Sequence, residues 1–315
     1  MGDVKILLPT NVPLDPVLPD GVEAVPYDTR APLPEASRDA EAIVLWASSP
    51  TWMAQAARDL PNLRWIQSLS AGMDAIVEAG FGEDVVMCSG NGLHDVPVAE
   101  HALGLILAAA RRLDVAVRAV DDHRWARELG VNQPLDNAGR FSLISGANVV
   151  IWGFGGIGQR LAGYLRPMGA KIVGVATRAG ERGGYPVITP AELPGILPHT
   201  DVLVNILPAT PATTAAVSAS TFEAMADHAW LVNVGRGATV DQEALIAALH
   251  AGRIGGAALD VMTPEPLPSD SPLWDAPNLI LTPHSAGGRP LGADDLIAAN
   301  TRAFLEGRPL RNALG

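Results

Sequence analysis

Short apolar runs recur along the chain, and most are followed by a segment of helical period. Residues 4–8, 42–46, 65–68 and 85–88 read as buried strands. Past residue 125 the rhythm restarts, with strands expected at 149–152, 171–176, 202–205, 230–234, 257–261 and 279–281. Strands that alternate with helices are joined by crossovers, and crossovers build a parallel sheet with helices on its faces. The expected class is therefore α/β. A chain of 315 residues is too long for one comfortable core and predicts two domains. Between the two series, residues 96–125 read as one long helix, opened by Asp95 as a cap and by Pro97 in its first turn. It is apolar on more than one face over residues 102–110, as expected of a helix buried between two domains or two subunits. A last helix at 291–304 has no strand after it and is free to pack back on the first domain. One domain is expected at 1–94 plus 286–315, and the other at 95–285, including the long helix over 96–122.

The bulk numbers narrow the function. Hydrophobic residues make up 48% and charged residues 18%, as in a core-rich folded protein. The net charge is −12 with no basic run, so neither nucleic acid nor an anionic membrane is an expected partner. A single cysteine, Cys88, excludes an intrachain disulfide and fits a reducing cytoplasm. The opening "MGDVKILLPT" is cut by Pro9 and reads as a strand, not a signal peptide. The longest uncharged stretches fall short of a membrane span, and no metal is expected.

"VVIWGFGGIGQRLAGYL" holds Gly153, Gly155 and Gly158 in the spacing G-x-G-x-x-G. The spacing alone is weak, but here it follows an apolar strand and opens an amphipathic helix. Gly153 would make the tight turn, Gly155 would let a pyrophosphate reach the backbone, and Gly158 would let the helix pack close to the strand. The free N–H groups of the helix N-terminus would face the phosphates. A dinucleotide site is expected.

Three polar residues follow three later strands. Arg236 stands in "VNVGRGATV" between Gly235 and Gly237, which leave room for another molecule near the backbone. Taken alone, it is equally an exposed residue of a strand-ending turn. Glu265 sits in "LDVMTPEPL" and His284 in "LILTPHSAGG". Strand carboxyl ends are where open α/β sheets bind ligands, so a cation, a carboxylate and an imidazole are expected on one rim. That set fits carbonyl reduction. A nicotinamide delivers hydride to carbon, a histidine protonates oxygen, and a neighbouring carboxylate favours the imidazolium. Arginine can grip a substrate carboxylate at two points.

The stretches "SLSAGMDAI", "VAEHALGLILAAAR", "GFGGIGQRLA", "VNVGRGATVDQEALIAALHAGRIGGAALDV" and "PEPLPSDSPLWDAPNLILTPHSAG" resemble the D-isomer-specific 2-hydroxyacid dehydrogenase family, including its glyoxylate/hydroxypyruvate reductases, over most of residues 66–288. The resemblance implies two Rossmann-like, flavodoxin-like domains, each a doubly wound parallel sheet, with the active site in the cleft between them. It implies a homodimer built on the long helix. It also implies a small 2-oxo or 2-hydroxy acid as substrate, reduced to the D-2-hydroxy acid. The family's catalytic Arg, Glu and His carry over to Arg236, Glu265 and His284. Its cofactor contacts carry over to the turn at Gly155, Gly156, Ile157 and Gly158, to Leu207 and Pro208, to Val234 beside Gly235, and to Asp260, which in the family meets the nicotinamide amide. The loop of Leu69, Ser70, Ala71 and Gly72 resembles the one whose backbone N–H groups hold the substrate carboxylate.

Two departures refine the expectation. Where the family often carries an acid after the second cofactor-domain strand, this chain has Thr177 and Arg178, with Arg182 four residues on. An acid there would repel a 2′-phosphate, so NADP(H) is expected to be preferred, with NAD(H) possible. Where related 3-phosphoglycerate enzymes place an arginine, this chain reads "IVLWASSP", and Trp46 is expected to meet an apolar substrate tail. A second reading, from corepressors of the same fold, is a dinucleotide-sensing interaction protein without significant turnover.

Overall fold

The computed structural model describes residues 4–130 and 132–314. They form two compact units, one of residues 1–94 and 288–315 and the other of residues 95–287.

The first unit holds strands β1 (Val4–Pro9), β2 (Val22–Tyr27), β3 (Ala42–Leu45), β4 (Trp65–Ser68) and β5 (Val86–Cys88), in the order β2-β1-β3-β4-β5. All its neighbours pair in parallel. β3 and β4 are buried at every position; β3 is a plain apolar run without alternation, while β4 also buries Gln67 and Ser68. Helix α1 (Pro50–Asp59) starts where Ser49 accepts from the Trp52 N–H at 3.2 Å and Pro50 fills the first turn. A one-turn helix, α2 (Asp74–Val77), follows β4. Met53, Ala56 and Ile76 cover one face of the sheet.

The second unit opens with α3 (Asp95–Arg111) and α4 (Leu113–Asp121). It continues with β6 (Asn148–Trp152), α5 (Gly156–Leu165), β7 (Lys171–Val175), β8 (Gly180–Arg182), β9 (Tyr185–Ile188) and β10 (Val202–Asn205). Then come α6 (Ala219–Ala224), β11 (Trp230–Asn233), α7 (Gln242–His250), β12 (Gly256–Leu259) and β13 (Leu279–Leu281). The strand order is β13-β12-β11-β10-β6-β7-β9-β8. One face is closed by α3 and α5 through Ala102, Ile106 and Leu161, the other by α6 and α7 through Phe222, Leu245 and Leu249. The last helix, α8 (Ala293–Leu305), returns to the first unit, where Leu296 and Ile297 pack with Ile6, Val44 and Trp65. Among the described residues no helix is long and apolar enough to cross a membrane.

Three features depart from the sequence expectation. The helix expected unbroken over 96–122 is two helices, because Arg112 adopts a left-handed conformation (φ 51°). The Arg112 guanidinium bonds Asp114, two residues on, at 3.1 Å, and it also has distant partners, bonding Asn278 Oδ1 at 2.7 Å and lying over the Trp230 ring. Strand β2 was passed over because Pro26 interrupts its alternation; on a sheet edge a proline is tolerated. The sheet is also not wholly parallel, since β8 runs antiparallel to β9. Gly183 and Gly184, at φ 60° and 78°, make the two-residue turn that joins them.

Candidate active site

The glycine turn follows β6. Gly153 has φ 101°, and a Cβ there would meet the Ile206 carbonyl oxygen at 2.7 Å, so both conformation and space demand glycine. A Cβ at Gly158 would lie 2.9 Å from the Gly153 oxygen, which is the close helix–strand packing expected. Around Gly155 nothing lies within 4 Å of such a Cβ, and the residue is exposed. The first turn of α5 lies beside the Asp95 carboxylate, which a Cβ at Gly156 would strike, and Gln159 is the first to close a backbone helical bond, to Gly155 at 3.0 Å. An open glycine turn at a helix N-terminus fits a pyrophosphate.

Beside it, Thr177 and Arg178 are exposed past the end of β7. Arg182 is half-buried on β8, and its guanidinium donates to the carbonyls of Phe154 and Arg178, both at 3.3 Å. The hairpin therefore straps a second arginine to the glycine turn itself. Leu207 and Val234, expected as cofactor contacts, are buried side chains; Pro208 is exposed.

The turn of Arg236 is built on a buried amide web. Asn205 Nδ2 donates to Asn233 Oδ1 at 3.1 Å and to Thr239 Oγ1 at 2.6 Å. Asn233 Oδ1 takes the Gly235 N–H at 3.1 Å, Asn205 Oδ1 takes the Leu207 N–H at 3.3 Å, and Thr239 Oγ1 donates to the Arg236 carbonyl at 2.6 Å. The flanking glycines are required by the protein itself. A Cβ at Gly235 would strike the Leu207 backbone, and one at Gly237 the Met262 carbonyl. Arg236 is half-buried and bonds the Gly235 carbonyl at 2.8 Å.

Met262 also links to the acid. Its N–H donates to Glu265 Oε1 at 3.0 Å, and Glu265 Oε2 meets His284 Nδ1 at 2.6 Å. With Nδ1 on the carboxylate, His284 Nε2 is the nitrogen left for another molecule; the side chain is 48% exposed. An apolar recess of about 520 Å³ adjoins the pair, lined by Leu267, Trp274, Leu281 and Pro283. Arg236, Glu265 and His284 thus follow the neighbouring strands β11, β12 and β13 on one rim.

His284 has φ 51°, a conformation that costs a side-chain-bearing residue about 1 kcal/mol. Its N–H donates to the Asp260 carbonyl at 2.8 Å. The Asp260 carboxylate, expected to meet the nicotinamide, is turned into the protein and 1% exposed. It accepts from Thr282 Oγ1 at 2.6 Å, from the Ser285 N–H at 2.9 Å and from the Ala286 N–H at 3.0 Å. His101 on α3, absent from the sequence reading, lies 2.9 Å from Thr282 Oγ1 and 3.3 Å from Asp260 Oδ1 through its Nε2.

In the first unit, the loop after β4 offers fewer donors than expected. The Leu69 N–H is used by the Leu45 carbonyl at 2.9 Å, and the Ser70 N–H by Ser68 Oγ at 3.0 Å. Among the described residues only Ala71 and Gly72 of the four keep N–H groups with no protein acceptor. Sequence reading also missed His94. It is buried, bonds the Leu69 carbonyl at 2.7 Å and stacks on Trp46 with centroids 5.5 Å apart. Its Nδ1 is buried without a partner. The available signal was a polar residue beside the start of a buried helix.

A family model described as D-isomer specific 2-hydroxyacid dehydrogenase, NAD binding domain, matches residues 103–286. The human glyoxylate reductase/hydroxypyruvate reductase is 31% identical over 80% of this chain and 77% of its own length. A D-3-phosphoglycerate dehydrogenase of Archaeoglobus fulgidus is 29% identical over 83% of this chain, which spans only 49% of that protein. The solved D-isomer specific 2-hydroxyacid dehydrogenase of Xanthobacter autotrophicus Py2, in complex with NADPH and MES, superposes with a TM-score of 0.79 and 26% identity, covering 100% of this chain and 98% of that one.

Proposed function

Because the chain belongs to the D-isomer specific 2-hydroxyacid dehydrogenases, we propose that it reduces a small 2-oxo acid to the D-2-hydroxy acid with NAD(P)H, preferring NADPH. The observation that carries the reading is the 2.6 Å Glu265–His284 pair with Nε2 left over, on the same rim as the half-buried Arg236. The bound dinucleotide supplies the hydride that the carbonyl carbon accepts. His284 Nε2 gives a proton to the carbonyl oxygen, and Glu265 fixes the ring and supports its charge. Arg236 takes the substrate carboxylate. Gly156, Ile157 and Gly158 hold the pyrophosphate, over a floor of Leu207, Pro208, Val234 and Gly235. Thr177, Arg178 and Arg182 face the adenosine ribose, where two cations favour a 2′-phosphate.

The test is a panel of 2-oxo acids, including glyoxylate, hydroxypyruvate and 3-phosphohydroxypyruvate, with each cofactor. NADPH turnover with the unphosphorylated acids is expected. Its absence would favour a cofactor-sensing protein. In the same assay Arg178→Ala raises KM for NADPH by about threefold or more and leaves NADH nearly unchanged. Arg182→Ala weakens both cofactors, because Arg182 also bonds the glycine turn. An Arg178→Ala change equal for the two cofactors would sink the assignment.

The homodimer belongs to the same proposal. Leu113, Val117 and Val120 lie one helical face apart on α4 and are 48%, 62% and 71% exposed, beside Trp125 at 86%. Light scattering is expected to give a dimer, and Val120→Glu to shift it to monomer. A wild-type monomer would refute this.

A further inference from the structure

We propose that His101 and Thr282 are positioning residues for His284, acting through Asp260. The chain of bonds has one direction. The Asp260 carboxylate only accepts, so the short 2.6 Å contact takes the single hydroxyl proton of Thr282. Thr282 Oγ1 can then only accept from His101, 2.9 Å away, so His101 carries its proton on Nε2. With Ser285 and Ala286 donating their N–H groups, Asp260 is gripped on both carboxylate oxygens. Its main-chain carbonyl in turn receives the His284 N–H at 2.8 Å. One residue thus ties 282, 284, 285 and 286 together by side chain and backbone at once.

This grip answers a need that the site creates. His284 is held at φ 51°, and a residue with a side chain stays in the left-handed region only where its surroundings over-determine it. Released from Asp260, the turn can relax, and the imidazole loses its fixed place against Glu265. Proton transfer depends steeply on such placement. The clamp also reaches out of the loop. His101 stands on α3, a buried helix packed against α5 and β12, so a helix of the unit's core backs the turn.

The inference rests on His284 being the proton donor, and the experiment separates the two. In the full chain, Thr282→Val removes the hydroxyl at nearly constant volume, Thr282→Ser restores it, and His101→Leu removes the outer donor. Reduction of glyoxylate with NADPH is measured beside His284→Ala. Thr282→Val and His101→Leu are expected to lower kcat by about tenfold or more, with KM for both substrates within about twofold and with Thr282→Ser close to wild type. A general loss of packing would not be rescued by serine, nor would it fall on kcat alone. Should Thr282→Val fail to fold, His101→Leu, at a partly exposed position on α3, carries the test alone. A kcat within about twofold of wild type in either folded variant, while His284→Ala is strongly impaired, overturns the positioning role. A wild-type kcat in His284→Ala removes both readings.

Discussion

His284→Ala lowers kcat for 2-oxo acid reduction by about 10²–10⁴-fold, the usual worth of a positioned general acid, and leaves NADPH binding intact. The split follows from the geometry. His284 lies after β13, while the glycine turn proposed for the dinucleotide lies after β6, four strands away in the sheet. Nδ1 is taken by Glu265, so the chemistry depends on Nε2 alone, which alanine and glutamine both lose. Glu265→Gln is expected to fall between wild type and His284→Ala, because the amide still contacts the ring but no longer balances its charge. Fluorescence titration with NADPH and steady-state rates with glyoxylate check both halves. A folded His284→Ala protein with near-normal kcat would take His284 out of the reaction.

Arg236→Lys raises KM for 2-oxo acids by about 10–10²-fold, the scale of a lost hydrogen bond to a charged partner, and also lowers kcat. Lysine keeps the charge but not the planar fork, so the acid is held without a fixed face toward the hydride. The turn itself survives the change. The amide web grips the backbone of Arg236 and Gly235, not the guanidinium. Cofactor affinity is therefore expected to stay within a factor of about two. Lost NADPH binding with an unchanged KM for the acid would reverse the assignment of Arg236.

What could be read from the sequence was whatever a strand end announces. Gly153, Arg236, Glu265 and His284 each follow an apolar run closely, and the carboxyl ends of parallel strands share a rim. The partnership of Glu265 and His284 needed only that rule. What stayed hidden depends on contacts between distant segments. At the break, Arg112 meets Asn278 and Trp230, and a local pattern announces neither contact. His101 finds Thr282 across 181 residues. The glycines beside Arg236 advertised a close approach, but not that the Leu207 and Met262 backbones make it. The resemblance set Asp260 against the nicotinamide, and no local pattern announces that Thr282, Ser285 and Ala286 bury its carboxylate. The hairpin at 180–188 escaped notice because its outer strand, GER, carries no apolar residue to bury.

That hairpin bears on how the chain can change over generations. Arg182 holds the outermost ribbon of the sheet to the glycine turn, but Arg178, just ahead of that ribbon, is an exposed side chain. Substitutions there disturb little else, so a lineage can drift between the two nicotinamide cofactors at small risk to folding. The residues around His284 have no such freedom. Threonine, aspartate and histidine from three separate segments meet there, and a change in one strands the other two. Descendants of this chain should therefore exchange cofactors far more readily than they abandon His284.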